Sequence, residues 1–394
     1  MVNRITALLF VLFCIASTDA CIDPYPFHLD KYKSLLVVEG LITNENAPYE
    51  VTLSRTFQST DSAVEKISDA IVYVTDQGGN RNDFNYSCDG KYISANTSFT
   101  GMAGSTYTLH IQTSDGNKYE SEPCLMIPVT GINSLYFEKE EHINSITNQT
   151  LTGIEVYLDS EEGEGSESYY RWTYNETWEH MLPIPRLFDY ISETQINAVN
   201  NVSYFCWKSD KSNDILTGST VPGQKNIIMG QPILFIASGQ SDRLNNEYIL
   251  NVTQMSVSEK EFGFWNNLNK INETGGTIFD TQPYPIISNI FNINDPDEKV
   301  LGYFSVSSVS HITFFITAQD LNTLDLPPYQ YNCNEIYVSP SDYSSPNGSM
   351  SFDFLYNAMM QTGKYSFIEP FYDDMNQLIG LGFAPVECSE CSPD

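Results

Sequence analysis

Four cysteines in the second half of the chain have a spacing that could support chemistry. Cys388 and Cys391 form a Cys-x-x-Cys pair, which is the spacing of a redox couple or of half a zinc site. Together with Cys206 and Cys333 they could form a four-thiolate zinc cage. The other interpretation is a set of structural disulfides. An oxidising compartment would favour disulfides, and no helix start follows the motif.

The first 21 residues indicate that the chain is exported. Arg4 precedes an apolar run over residues 5–16, and the run ends in Thr18-Asp19-Ala20-Cys21. This pattern is typical of a secretory signal over residues 1–20, and the run is too short to span a membrane. A cysteine directly after the small residue predicts a lipoprotein in which the Cys21 thiol carries lipid. The alternative is an ordinary signal peptidase site after Ala20, which would release a soluble secreted chain.

The number of cysteines favours the lipoprotein. The chain has eight cysteines, and cleavage of the signal removes Cys14, which leaves an odd number. Lipidation of Cys21 leaves an even set that can pair in an oxidising compartment: Cys88, Cys124, Cys206, Cys333, Cys388 and Cys391. Cys88 and Cys124 could pair with each other in the first β-rich stretch. The other four would then staple the second stretch, in a connectivity that the sequence leaves open.

Composition indicates a folded protein and excludes nucleic acid as a partner. With 394 residues, 41% hydrophobic and 13% aromatic, the chain can fill the cores of two or three domains. It carries 19 basic and 50 acidic residues, a net charge of -31, which repels nucleic acid and anionic lipid. No second apolar run reaches membrane-spanning length, so attachment to a membrane would depend on the lipid at Cys21.

Apart from these cysteines, no pattern in the sequence predicts a catalytic residue, a metal site or a cofactor. The five histidines lack the spacing of metal ligands, and no Gly-x-Ser-x-Gly nucleophile elbow is present. Adjacent acids such as Asp373-Asp374 or Glu161-Glu162 are more typical of solvated turns than of a glycosidase pair. The acidic run over residues 159–167 lacks the alternating ligands of a calcium loop.

After a linker over residues 21–33, the stretch 34–129 has the pattern of a small β domain. Apolar and alternating runs predict strands that are separated by turns rich in Gly, Asp and Asn. These strands cover residues 35–42, 49–54, 70–75, 91–94 and 106–111. Short strands at regular spacing predict a sandwich of immunoglobulin or transthyretin type.

Residues 130–394 predict a larger, irregular β-rich domain with one or two short helices. Strand-length runs of β-branched and aromatic residues cover residues 154–158, 169–174, 233–236 and 312–316. The clearest helix spans residues 258–269, with Ser258 as its cap and Glu259 and Glu261 in its first turn. Phe262, Trp265 and Leu268 follow helical spacing on it, and we interpret this stripe as core and not as a ligand site.

Several segments, in this order and spacing, resemble one family across nearly the whole mature chain. They lie at residues 36–44, 49–56, 104–109, 206–209, 261–265, 276–280, 302–305 and 388–391. The family comprises Bacteroidota outer-membrane lipoproteins catalogued as domain of unknown function 4249.

The resemblance implies an accessory lipoprotein of the outer membrane, usually encoded beside a TonB-dependent transporter barrel, with no established catalytic activity. In that phylum, surface export goes with acidic residues after the lipid cysteine, and Asp23 lies there. We therefore expect a surface-facing protein that captures a small-molecule, glycan or peptide ligand for the barrel, or that shapes the complex. A hydrolase of surface polymers and a purely structural envelope subunit are the alternatives.

Overall fold

The computed structural model describes most of the chain beyond its N-terminal segment. The described residues are 34–56, 64–144, 146–163, 167–221, 225–273, 286–345 and 348–391. The signal over residues 1–20, Cys21 and the linker over residues 21–33 lie outside them. No helix in the described ranges is long and apolar enough to cross a membrane.

The described residues are mainly β, as predicted. The first stretch contributes β1 (Leu36–Thr43), β2 (Glu50–Arg55), β3 (Glu65–Lys66), β4 (Ile71–Asp76), β5 (Arg81–Tyr86), β6 (Lys91–Ser94), β7 (Thr106–Gln112), β8 (Lys118–Ser121) and β9 (Cys124–Leu125). The middle contributes β10 (Ile132–Ile143), β11 (Thr150–Ser160), β12 (Tyr169–Met181), β13 (Phe188–Ser192), β14 (Gln195–Ala198), β15 (Phe205–Lys211), β16 (Leu216–Ser219), β17 (Gln231–Ala237) and β18 (Tyr248–Val257). The last stretch contributes β19 (Ile290–Asn292), β20 (Leu301–Ser307), β21 (Val309–Ile316), β22 (Ile336–Val338), β23 (Ser344–Ser345), β24 (Gly348–Ser349), β25 (Tyr365–Tyr372) and β26 (Leu378–Pro385).

Few residues of the described ranges are helical. The α-helices are α1 (Glu259–Glu273), α2 (Ala318–Leu321), α3 (Phe352–Met360) and α4 (Val386–Ser389). A 3-10 turn covers Asp242–Leu244. The predicted helix over residues 258–269 is confirmed as α1, which continues to Glu273. Its start follows from Ser258, whose hydroxyl accepts a hydrogen bond from the Glu261 backbone N–H at 3.2 Å.

The first sheet contains all the strands predicted in residues 34–129, and it also recruits two strands from later in the chain. Its order is β19-β8-β7-β4-β5-β6-β2-β1-β20, with β3 beside β2 and β9 beside β7. Inward-facing residues alternate along strands such as β1, where Leu36, Val38 and Ile42 are buried, and they form one core. The first sheet therefore extends across the predicted boundary at residue 129, because β19 and β20 complete it. Their pairing is long-range, which local periodicity does not encode.

The contact between β1 and β20 is parallel and close. Val38 of β1 lies opposite Gly302 of β20, and Glu39 lies opposite Tyr303. Gly302 has a φ of +86°, and a Cβ atom there would lie 1.9 Å from the Val38 carbonyl oxygen. Only glycine fits this position, so Gly302 allows β20 to join the first sheet.

The middle of the chain forms a second β module with its own core. A three-stranded sheet, β10-β11-β17, and a five-stranded sheet, β15-β12-β18-β21 with β16 beside β12, share that core. Trp172 of β12 and Val156 of β11 are fully buried in it. Helix α1 packs against β12 and β16 of this module, while its Phe264 ring lies 4.8 Å from Tyr303 of β20. Helix α1 therefore sits at the junction of the two modules.

A third, smaller module closes the chain. The sheet β22-β26-β25, helix α3 and the hairpin β13–β14 bury a common cluster that includes Phe367, Leu381 and Phe383. The Ser351 hydroxyl caps α3 by accepting a hydrogen bond from the Phe354 N–H. Two disulfides tie the end of this module back to the chain, and they are described below.

Candidate functional site

The candidate site is a cleft between α1 and the outer surface of the first sheet. It has a volume of about 390 Å³ and is lined by strand residues, helix residues and one side chain from β12. Because side chains alternate along β1, Val38 and Ile42 face the core while Glu39 and Leu41 face the cleft. Clefts of this size at the junction of two modules are common places for small ligands.

The strand side of the cleft combines apolar and acidic groups. Glu39 lies opposite Thr52 of β2 in the strand register, and both line the cleft. Glu50 of β2 also lines it, and its carboxylate forms an ion pair with Lys91 at 3.0 Å. Glu39 is exposed and has no ion pair within the described part of the chain. Its carboxylate is therefore the unpaired negative group at the strand side.

The helix side carries an aromatic ring and a buried acid one turn apart. Trp265 lines the cleft, and its indole Nε1 donates a hydrogen bond to the Glu261 carboxylate at 3.2 Å. The Ser305 hydroxyl donates to the same oxygen at 2.6 Å. Glu261 is only 4% exposed. Burial raises the pKa of Glu261 to about 7, although the two hydrogen bonds and the charge of Arg171 act against that rise.

Arg171 of β12 brings a positive charge into the cleft. Its guanidinium carbon lies 4.0 Å from the centre of the Trp265 ring, in cation–π geometry. The Nε atom is buried and has no hydrogen-bond partner, and no carboxylate of the described residues lies within 4.0 Å of the guanidinium. Burial lowers the pKa of Arg171, and the charge of Glu261 opposes this effect. Arg171 remains a cation at neutral pH, held by stacking and lacking a partner anion.

A second cavity of about 300 Å³ lies on the other side of Phe264 and Tyr303, which line both cavities. At this second cavity, the Lys260 ammonium forms an ion pair with Glu122 at 2.8 Å. Its charged side chains are therefore already matched, unlike Arg171 in the cleft.

The four cysteines of the second half form two disulfides. Cys206 is bonded to Cys391, and Cys333 is bonded to Cys388, with Cα–Cα distances of 5.6 and 5.8 Å. The alternative zinc cage is therefore not formed. No group of three or more His, Cys, Asp or Glu residues within the described ranges is placed to hold a metal ion.

Cys88 and Cys124, which could have paired, do not do so in the structure, where both are free thiols. Cys88 is exposed in the turn between β5 and β6, while Cys124 is in β9, beside β7. Strands β4 and β5 separate these positions in the sheet order. The Cys124 thiol accepts a hydrogen bond from the Asn289 amide at 3.2 Å, and burial raises its pKa to about 12.

The described histidines each pair with a carboxylate and do not converge. His110 lies near Glu120, His142 near Glu155 and His311 near Glu45. The remaining one, His180, is buried against Asp242, and its Nε2 atom donates to the Glu387 carbonyl oxygen at 2.8 Å. That bond ties β12 to α4, so His180 holds the third module in place.

The sequence did not reveal the cleft, because the aromatic stripe of α1 has the helical spacing of core residues. Phe264 is the buried ring of the helix, and Trp265 and Leu268 are half-buried; all three line the cleft. Glu261 on the inner face of α1, four residues before Trp265, was the available signal. A buried carboxylate is costly unless it has hydrogen-bond or charge partners. An acidic residue on the buried face of a helix therefore indicates polar groups nearby, and hydrophobic packing alone does not explain it.

Comparison with known proteins identifies the family of this chain but does not identify an individual relative. No curated protein matches the chain. One family model, described as Domain of unknown function (DUF4249), matches residues 22–313. The matched range holds all five elements that line the cleft: β1, β2, β12, α1 and β20. The resemblance noted from the residues is confirmed, and the chain belongs to the family described as Domain of unknown function (DUF4249).

Proposed function

We propose that this protein is a lipid-anchored accessory protein of the outer membrane that captures a ligand for a TonB-dependent transporter barrel and catalyses no reaction. The main support for ligand capture is the cleft between α1 and β1. In this cleft the Arg171 guanidinium stacks on Trp265 and has no ion-pair partner among the described residues. A charged group held ready in a preformed cleft favours binding over a purely structural role. The protein faces the cell surface.

The anchoring part of the proposal is supported by the N-terminal sequence. Residues 1–20 have the pattern of an export signal, and Cys21 stands at its cleavage position. The net charge of -31 opposes adhesion to anionic lipid, so attachment to the membrane depends on a covalent lipid. The proposed partnership with a transporter barrel is based on the family resemblance.

The proposal is tested by gentle purification from native membranes, followed by mass spectrometry of the proteins that come with the chain. We expect a TonB-dependent barrel in the eluate. Recovery of the lipidated chain without a barrel would overturn the transporter part. The Cys21→Ser variant should move to the soluble fraction, while Cys88→Ser should stay with the membrane. Continued membrane association of Cys21→Ser would overturn the lipid anchor.

The hydrolase alternative is tested on the same preparation. Its release of reducing ends or peptides from surface polymers would overturn the non-catalytic assignment, provided that the product disappears with a Glu261→Gln variant.

A further inference from the structure

We propose that the cleft binds a small zwitterion of the amino-acid or short-peptide class, with the ligand carboxylate on Arg171 and its ammonium group at Glu39. This inference rests on the proposed function, because it names the ligand class of the same cleft. It follows from three features of the described residues: an unpaired guanidinium, an unpaired carboxylate and apolar side chains that line the same cleft.

The guanidinium of Arg171 is the anchor for a carboxylate. A charge that is largely removed from water is costly unless it is paired, and Arg171 has no ion pair among the described residues. A ligand carboxylate would supply the missing partner through the planar fork of N–H donors. The Trp265 ring behind the guanidinium restricts its orientation, so less side-chain freedom is lost on binding.

The acidic groups of the cleft favour a zwitterion over a simple anion. Glu50 is already satisfied by Lys91 and by the Thr52 hydroxyl, which donates to it at 3.2 Å. Glu39 has no such partner within the described ranges and lines the same cleft as Arg171. A phosphate or dicarboxylate would be repelled by Glu39, whereas an ammonium group would be attracted. One positive and one negative anchor therefore match the two termini of an amino acid or short peptide.

The remaining lining suits an apolar side chain. Leu41 comes from β1, and Phe264 and Leu268 come from α1. About 390 Å³ is at the lower end of the volumes that hold small ligands, which fits an amino acid or dipeptide and excludes a folded partner.

Glu261 acts as a positioning residue for this site. It accepts hydrogen bonds from Trp265 and Ser305 behind the stacked pair, and its charge balances Arg171 without contacting it within 4.0 Å. The guanidinium therefore keeps its N–H donors available for a ligand.

The test uses the full chain released from membranes in detergent and a defined pool of dipeptides with free termini. Native mass spectrometry identifies the captured dipeptides, and calorimetry measures their dissociation constants. The same pool with amidated C-termini should bind about tenfold more weakly or worse, because the bond to Arg171 is lost. The N-acetylated pool should be weakened through loss of the contact with Glu39.

Variants assign the two anchors. Arg171→Gln should weaken binding of the captured dipeptides by about tenfold or more, with Arg81→Gln as its control. Arg81 also stacks on an aromatic ring, 3.8 Å from the centre of Tyr73, but does not line the cleft. Since Arg171→Gln could disturb folding, Glu39→Gln at an exposed position gives an independent test, with Glu65→Gln as its control.

Three results would overturn the inference: no capture from the free pool, capture that is insensitive to amidation and to Arg171→Gln, or inorganic phosphate binding as tightly as the dipeptides. Failure of dipeptide binding with recovery of a barrel would overturn the ligand class alone. Dipeptide binding without a barrel would overturn the transporter part of the proposed function and keep the ligand class.

Discussion

Arg171 stacks on Trp265 with 4.0 Å between the guanidinium carbon and the ring centre, although one residue belongs to a strand of the second module and the other to a helix. The pair exists because α1 packs against β12 while it also covers β20 of the first sheet. Loss of either contact would open the cleft. The stability of the cleft therefore depends on the side chains that hold α1 in place. Among these, Glu261 is the most buried ionisable residue.

Glu261→Gln should change how stability depends on pH. The pKa of Glu261 is raised by burial to about 7 in the folded chain, above the value of about 4.3 expected when unfolded. The folded chain thus binds the extra proton between these values, and the contribution of Glu261 to stability is lost as pH rises through 7. The upper limit of this contribution is about 4 kcal/mol.

We expect the thermal midpoint of the wild type to fall relative to that of Glu261→Gln by several degrees between pH 4.5 and pH 8. Glutamine keeps an oxygen for Ser305 and Trp265, so the fold survives. Glu259→Gln, an exposed position in the same first turn, serves as control. Parallel pH profiles of the wild type and Glu261→Gln would refute the assignment.

Asp242→Asn should show the opposite pH dependence. Burial alone would raise the pKa of Asp242, but its bond with His180, the charge of Lys208 and the Trp178 indole outweigh burial and lower it. The stability from Asp242 is therefore present above its unfolded pKa of about 3.9 and is lost as pH falls through its folded pKa. The variant should lose about 1–3 kcal/mol at pH 7.

Urea unfolding of the wild type and Asp242→Asn at pH 7 and below pH 4 measures this difference. The gap should shrink at the lower pH. Asp210→Asn, an exposed acid on the neighbouring β15, gives the control. A gap that is unchanged at low pH would show that the lost packing, and not the charge, is responsible.

The two free thiols should react at very different rates. Cys88 is exposed, while Cys124 is partly covered and its thiol pKa is raised by burial to about 12, so little of it is thiolate at pH 7.5. Iodoacetamide on the native chain should label Cys88 first. After denaturation without reductant, both thiols should be labelled. Reduction should then make four more cysteines available for labelling, those of the Cys206–Cys391 and Cys333–Cys388 disulfides.

Mass spectrometry of the labelled peptides reads each cysteine separately. A Cys88→Ser variant should lose the fast site and keep the slow one. A disulfide peptide containing both Cys88 and Cys124 would contradict the free thiols.

Gly302→Ala should destabilise the first sheet more than an equivalent change in a turn. A Cβ atom at position 302 would lie 1.9 Å from the Val38 carbonyl oxygen, so β1 and β20 must separate. Gly104 has a similar φ of +83°, but a Cβ atom there meets nothing within 4 Å. Gly104→Ala should therefore cost only the backbone strain of about 1–2 kcal/mol, and Gly302→Ala should cost more.

Thermal unfolding of both variants measures the two costs. Dipeptide binding should fall only in Gly302→Ala, because Gly302 and Tyr303 line the cleft. Equal destabilisation of the two variants would argue against the close parallel pairing of β1 with β20.

The sequence by itself determined the elements that depend on neighbouring residues. Alternation at Leu36, Val38 and Ile42 placed β1, and Ser258 placed the start of α1, because pleat, helical period and capping act over a few residues. The order and spacing of the short sequence segments also identified the family, because each segment can be recognised from neighbouring residues alone.

Tertiary structure decided what joins distant segments. It paired Cys206 with Cys391, left Cys88 and Cys124 free, and placed β20 beside β1. It also turned Trp265 from a predicted core residue into one wall of a cleft beside Arg171. Local periodicity predicts that a side chain is buried by another segment. Which segment covers it depends on the packing of the whole chain, where long-range contacts repay the entropy of closing the loops between them.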